Sequence, residues 1–117
     1  MKKVIVLGAT GNVGSYFTKY ASEYFSKDEY KIIASGKRAK AEVFASMGVE
    51  YIPVDITKPG DFEKLPKDEV YAVVLLAAVI PAYMDGYHPE DYLSSIIMGT
   101  YNAVSYTHLR AHETAAN

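Results

Sequence analysis

Val4-Ile5-Val6-Leu7-Gly8-Ala9-Thr10-Gly11-Asn12-Val13-Gly14 is the stretch on which the reading of the fold turns. Its first four residues form a short apolar run rich in β-branched side chains, the pattern of a buried strand, and Gly8 closes it. From Asn12 to about Ser26, Val13, Phe17, Tyr20, Ala21 and Tyr24 recur at helical spacing. A chain that passes from strand to helix in so few residues needs a tight turn with no Cβ atoms in the way. Glycine at Gly11 lets the backbone come close to a pyrophosphate, and glycine at Gly14 lets the helix pack tightly against the strand. The free N–H groups and the positive end of the helix dipole favour an anion there. A G-x-x-G-x-x-G run between the first strand and the first amphipathic helix has the context of a dinucleotide site. Gly8, Thr10, Gly11, Asn12, Val13 and Gly14 are its candidate residues. A glycine-rich turn with no ligand is the alternative.

Outward from that turn, short apolar runs alternate with amphipathic stretches. Lys31 to Ser35 reads as a second strand, and Ala39 to Met47 as a second helix stopped by Gly48 at a C-cap position. Tyr51 to Val54 is a third strand and Pro59 to Leu65 a short third helix at best. Val70 to Ala78, the longest apolar run, reads as a strand buried on both faces. Pro89 to Ala103 reads as a fourth helix with proline in its first turn. Strands separated by helices pair in parallel through right-handed crossovers. The expected fold is α/β, a partial Rossmann fold: a parallel sheet with strand order 3-2-1-4 and helices on both faces. The cofactor crevice then falls at the carboxyl ends, where the order reverses between strands one and four.

The chain has 117 residues, enough for one core and too few for two ordinary domains. Half of them are hydrophobic, 22% are charged, and the net charge is −2, with no basic stripe of the kind that nucleic acid requires. No nucleic-acid partner is therefore expected. The absence of cysteine excludes disulfides and a Cys-based metal site. The apolar run after Met1-Lys2-Lys3 is too short for a membrane span or a secretory signal, so the expected location is cytoplasmic.

The glycine spacing departs from the G-x-G-x-x-G of the classical dehydrogenases. It resembles the extended and atypical short-chain dehydrogenase/reductases, the NAD(P)-dependent epimerase/dehydratase group. Residues 1 to about 103 carry the likeness. Val54-Asp55-Ile56 is similar to the family's V-x-D-hydrophobic element after strand three, whose Asp borders the adenine. Val73-Val74-Leu75-Leu76-Ala77-Ala78 is similar to V-hydrophobic-H-x-A-A, beside the adenine ribose and the nicotinamide half. Gly99-Thr100-Tyr101-Asn102-Ala103 is similar to the N-V-x-G-T-x-N helix. The resemblance implies cofactor roles for Asp55, Ile56, Leu76, Ala77 and Ala78. For the complete protein it implies a sugar-nucleotide or small carbonyl substrate, with a homodimer as a possibility.

In an NAD enzyme of this fold an acidic residue about 20 positions past the glycines binds the ribose 2′-OH. Here strand two ends Ala34-Ser35-Gly36-Lys37-Arg38, with Gly36 in place of the acid. Lys37 and Arg38 suit a 2′-phosphate, which favours NADP over NAD. The alternative for this pair is a solvated start to the second helix.

Two positions depart from the family pattern: Ile96 stands for its Asn and Leu75 for its His. No tyrosine has the partner of a Tyr-x-x-x-Lys catalytic pair, in which lysine lowers the tyrosine pKa. No catalytic residue is therefore assigned. Tyr16, Tyr20 and Tyr24, at i, i+4 spacing, are expected to serve core or interface packing. Tyr83, Asp85 and His88 lie in a loop that the resemblance places over nicotinamide and substrate.

From Val104 the composition turns polar, and Val104 to Thr114 reads as one frame of a transposase-type sequencing adapter. The expected division is residues 1–103 as a truncated NAD(P)-binding half and residues 104–117 as an adapter-derived, non-native tail. His108 and His112, at i, i+4, have no evident third ligand, so no metal site is expected. Two readings remain for the parent protein. One is an NAD(P)-dependent oxidoreductase or epimerase whose isolated 117-residue piece is inert; the other is an NADP-sensing regulator without turnover. An uncovered fourth strand is expected to make the isolated chain associate.

Overall fold

The computed structural model describes residues 1–76 and 97–116. Four strands, β1 (Lys2–Leu7), β2 (Tyr30–Gly36), β3 (Glu50–Pro53) and β4 (Val70–Leu75), alternate with helical segments. These are α1 (Asn12–Tyr24), 3₁₀ helices over Glu42–Met47 and Pro59–Lys64, and α2 (Gly99–Ala116). The strands form one parallel sheet in the order β3-β2-β1-β4, as the alternation of elements predicts. Val4 is paired with Ile32 on one side and Ala72 on the other, so β1 is the central axis.

Alternate residues of β1 feed two cores. Val4 and Val6 join Ala9, Ala21, Ile32, Ala34, Phe44 and Val49 on the face covered by α1 and the first 3₁₀ helix. Ile5 and Leu7 join Ile33, Val54, Ile56, Phe62, Leu65, Ala103 and Tyr106 on the face covered by the second 3₁₀ helix and α2. Period-two side-chain alternation thus puts apolar groups on both faces, which is why β1 reads as an uninterrupted apolar run.

Four expectations are corrected. Of the core or interface packing expected for the tyrosines of α1, the core half does not hold: Tyr16, Tyr20 and Tyr24 are 67%, 65% and 83% exposed, and Val13 is exposed too. The buried face is Gly14, Thr18 and Ala21, because small residues let the helix approach the turn that precedes it. The second helix begins at Glu42 rather than Ala39 and is 3₁₀; Gly48, left-handed at φ 71°, does cap it. β4 is half-buried, not enclosed, because it lies at the sheet edge with β1 as its neighbour among the described residues. α2 also continues past Ala103 to Ala116, with Tyr106 buried against Phe62. Pro89 lies outside the described residues. Among those described, no helix is long and apolar enough to cross a membrane.

Candidate functional site

The turn after β1 is fixed from below. Gly8 takes φ 91°, a left-handed conformation that disfavours a side chain, and its N–H and that of Ala9 both donate to the Ser35 carbonyl at 2.9 Å. The strand end is thereby tied to β2 before α1 begins. Gly11 is the N-cap of α1 and offers no side-chain cap; its carbonyl accepts the first helical bond from Ser15 N at 2.8 Å. A helix leaves its first-turn N–H groups without intrahelical partners, and here Asn12 and Val13 bring theirs to an exposed position.

The two later glycines differ in kind. A Cβ on Gly11 would have its nearest neighbour, the Gly8 carbonyl oxygen, at 3.7 Å, so the space beside it is open. A Cβ on Gly14 would lie 2.8 Å from Ala9 Cα, with the Gly8 carbonyl oxygen still closer. One glycine leaves room above the turn; the other lets helix and turn touch backbone to backbone. Thr18, fully buried beside that contact, donates its hydroxyl to the Gly14 carbonyl at 2.7 Å. The turn is therefore held backbone to backbone against α1, with open space beside Gly11.

At the end of β2, Gly36 is buried against Thr10: a Cβ there would meet the Thr10 Oγ1 and Cγ2 atoms at 2.8 Å and the Tyr51 hydroxyl at 3.2 Å. Lys37 and Arg38 follow at once and are exposed. Tyr51, on β3, stacks its ring on Phe44 (centroids 5.7 Å apart, planes 8° from parallel) and donates its hydroxyl to the Arg38 carbonyl. Burial pushes the Tyr51 phenol above its ordinary value, and the Arg38 charge opposes that rise in part.

Beyond β3, Val54 N donates to the Gly36 carbonyl at 2.9 Å and Asp55 N to the Asp61 Oδ2 atom at 2.9 Å. The Asp55 Oδ1 atom accepts from both Thr57 N (3.0 Å) and Thr57 Oγ1 (2.6 Å). Burial works to raise the Asp55 carboxyl, but the Thr57 bonds, aided by the charges of Lys37 and Lys58, outweigh it and hold it below the ordinary value. Ile56 is gripped by α2. Asn102, buried, donates to its carbonyl at 2.8 Å, and a Cβ on Gly99 would strike its side chain, 2.7 Å from Cγ1.

On the other side of β1, Leu76 N donates to the Leu7 carbonyl at 2.8 Å, and the Leu76 side chain is partly exposed. Parallel pairing thus gathers Gly8–Gly14, Gly36–Arg38, Asp55–Ile56 and Leu76 along the carboxyl edge of one sheet. Ala77, Ala78, Tyr83, Asp85, His88 and Ile96 lie outside the described residues. The role of Tyr51 is missed in the sequence, where it stands only as the first residue of the expected third strand. Gly99 and Asn102 stand in one motif, a residue without a side chain near an amide, and that conjunction is the sequence signal of a helix that meets something close and polar.

Comparison with known proteins adds the family. The sequence profile of the NAD dependent epimerase/dehydratase family matches residues 4–115. The chain belongs to that family. No curated protein matches it. Among solved structures, the epimerase/dehydratase chain is similar to L-threonine dehydrogenase from Clostridium difficile, with a TM-score of 0.73 and 24% identity over 91% of this chain and 33% of that one. It is similar to a monomeric L-threonine 3-dehydrogenase from a metagenome, with a TM-score of 0.76 and 22% identity over 92% of this chain and 33% of that one. The dTDP-glucose 4,6-dehydratase from Bacillus anthracis, in complex with NAD, follows at a TM-score of 0.66 and 18% identity over 90% of this chain and 33% of that one. Likenesses at this level of identity show the fold, and this epimerase/dehydratase chain spans about a third of each of these structures.

Proposed function

We propose that this chain is the NADP-binding portion of an epimerase/dehydratase-family enzyme acting on a sugar-nucleotide or small carbonyl substrate. The observation that carries the reading is the cradle at Gly8–Gly14, where Gly14 brings helix and turn into backbone contact and Gly11 keeps the space above them clear. The amides of Thr10, Gly11, Asn12 and Val13 hold the pyrophosphate. The family resemblance gives Asp55 and Ile56 to the adenine, and Leu76, Ala77 and Ala78 to the ribose and the nicotinamide half. Lys37 and Arg38 take the 2′-phosphate, since Gly36 supplies no carboxylate for a free 2′-OH. When bound, the cofactor supplies or accepts a hydride. These residues bind and orient it, and with no Tyr-x-x-x-Lys pair among the 117 residues the chain alone is read as catalytically inert. In this reading residues 1–103 are the native domain, residues 104–117 are foreign to it, and the compartment is the cytoplasm.

A second reading has one observation in its favour: Ile96 stands where the family's Asn supports the active site. It is an NADP-sensing protein that binds without turnover. Downstream gene sequence separates the two, because a Tyr-x-x-x-Lys pair belongs to the enzyme and its absence to the sensor.

Calorimetric titration of the 117-residue chain with NADPH and NADH tests the binding reading. NADPH is expected to bind more tightly, and Arg38→Ala is expected to lose roughly 10- to 100-fold of NADPH affinity, the worth of a charge-assisted hydrogen bond, while sparing NADH. Equal or tighter NADH binding removes the NADP assignment. Backbone amide signals of Thr10 to Val13 that ignore both cofactors remove the site.

A further inference from the structure

We propose that Tyr51 is a positioning residue for cofactor selection: its hydroxyl ties down the Arg38 carbonyl and so holds the Lys37–Arg38 turn beside Thr10 and Gly36 as a seat for a 2′-phosphate. The inference rests on the NADP reading of Lys37 and Arg38 and extends it to a residue that touches no cofactor.

Lys37 to Lys40 are exposed, and two long cationic side chains on a loose segment would lose considerable freedom on gripping a phosphate. The bond from Tyr51 to the Arg38 carbonyl removes part of that loss beforehand. The hydroxyl is itself well placed. Tyr51 pairs with Ala34 in the β2–β3 ladder, and its ring lies nearly parallel to that of Phe44, which is fully buried. A strand and a core aromatic therefore fix where the donor points. A phenol of ordinary acidity already keeps its proton and remains a donor throughout the neutral range, and burial acts in the same direction.

The same hydroxyl helps to close the competing solution. A side chain at Gly36, the place of an NAD enzyme's acid, would meet Thr10 and Tyr51 together. Thr10, Gly36 and Tyr51 thus pack where a carboxylate would have to stand, and the two cations are left to read the ribose.

Tyr51→Phe tests this, since it keeps the ring and its stack and removes only the donor. Titrations of the full chain would use NADPH, NADH and the smaller probes 2′,5′-ADP and 5′-ADP. The expected result is a loss of about 3- to 10-fold for NADPH and 2′,5′-ADP, the ratio that one neutral hydrogen bond ordinarily supports. The affinities for NADH and 5′-ADP stay unchanged, in a variant that still unfolds in one cooperative transition. An equal loss for the phosphorylated and unphosphorylated ligands overturns selection, and no loss in a protein that prefers NADPH overturns positioning. If the parent chain shows no preference and Arg38→Ala changes nothing, the assignment of Lys37 and Arg38 itself fails, and the proposal falls with it.

Discussion

The Cβ that Gly14 lacks would stand 2.8 Å from the Cα of Ala9, a separation that real Cβ atoms do not adopt. The first turn of α1 is therefore seated directly on the backbone it follows. Thr18 and Ala21 continue the same narrow face along the helix.

Substitution separates this seat from the open ground beside it. Gly14→Ala must push α1 off the turn and is expected to cost about 1–3 kcal/mol, as overpacking does. Gly11→Ala meets nothing closer than 3.7 Å and keeps an allowed φ of −77°, so its cost is at most about 1 kcal/mol, that of a poorer N-cap. On the proposed site, dinucleotide binding should nevertheless fall in the Gly11 variant, whose new methyl group would enter the space open beside the turn. Urea denaturation beside cofactor titration reads both. Equal destabilisation by the two variants would refute the distinction.

Asn102 carries the second mechanical link. Its amide is buried and donates to the Ile56 carbonyl across 46 positions of sequence. Asn102→Ala leaves that carbonyl without its partner and is expected to lower stability by about 1–3 kcal/mol. Since Ile56 adjoins Asp55, the amide signals of residues 55–57 should shift in the same variant. A stable Asn102→Ala protein with an undisturbed loop would show the bond to be incidental.

Asp55 predicts a pH dependence of definite sign. Its carboxyl lies below the ordinary value of 3.8 because Thr57, and the charges of Lys37 and Lys58, favour the ionised form over the burial that opposes it. A group depressed in the folded state contributes stability above its unfolded pKa and loses it as pH falls through the folded value. The margin of the wild-type chain over Asp55→Asn should therefore be constant from neutral pH down to about 4 and then shrink. Thermal unfolding of the two proteins across pH 7 to 3 measures it. A margin that widens in acid would contradict the assignment.

Much of this was legible in the residues because parallel sheets announce themselves. β1 and β2 are apolar on both faces, their connection is helical, and the glycine run falls where β1 ends and α1 begins. The orientation of α1 was not legible in the same way. Hydrophobicity favours Val13, Phe17, Tyr20 and Tyr24 as the inner face, yet the turn demands small residues, and close approach prevails over apolar area. Phe17, 37% exposed, marks the flank of that compromise. The edge position of β4 follows from the expected order 3-2-1-4, but its half-buried state did not, since an apolar run reads alike whether its side chains are enclosed or partly open. Tyr51 was hidden because nothing in a tyrosine's surroundings in sequence tells a packed ring from one whose hydroxyl reaches a carbonyl thirteen positions earlier.

The grip of α2 on Ile56 has a bearing on protein engineering. A designer who grafts the loop after β3 from another scaffold, hoping to import its nucleobase preference, would bring in a segment whose counterpart begins at Gly99. The two stretches form a matched set, and chimeras that exchange one without the other inherit a helix shaped for a different loop.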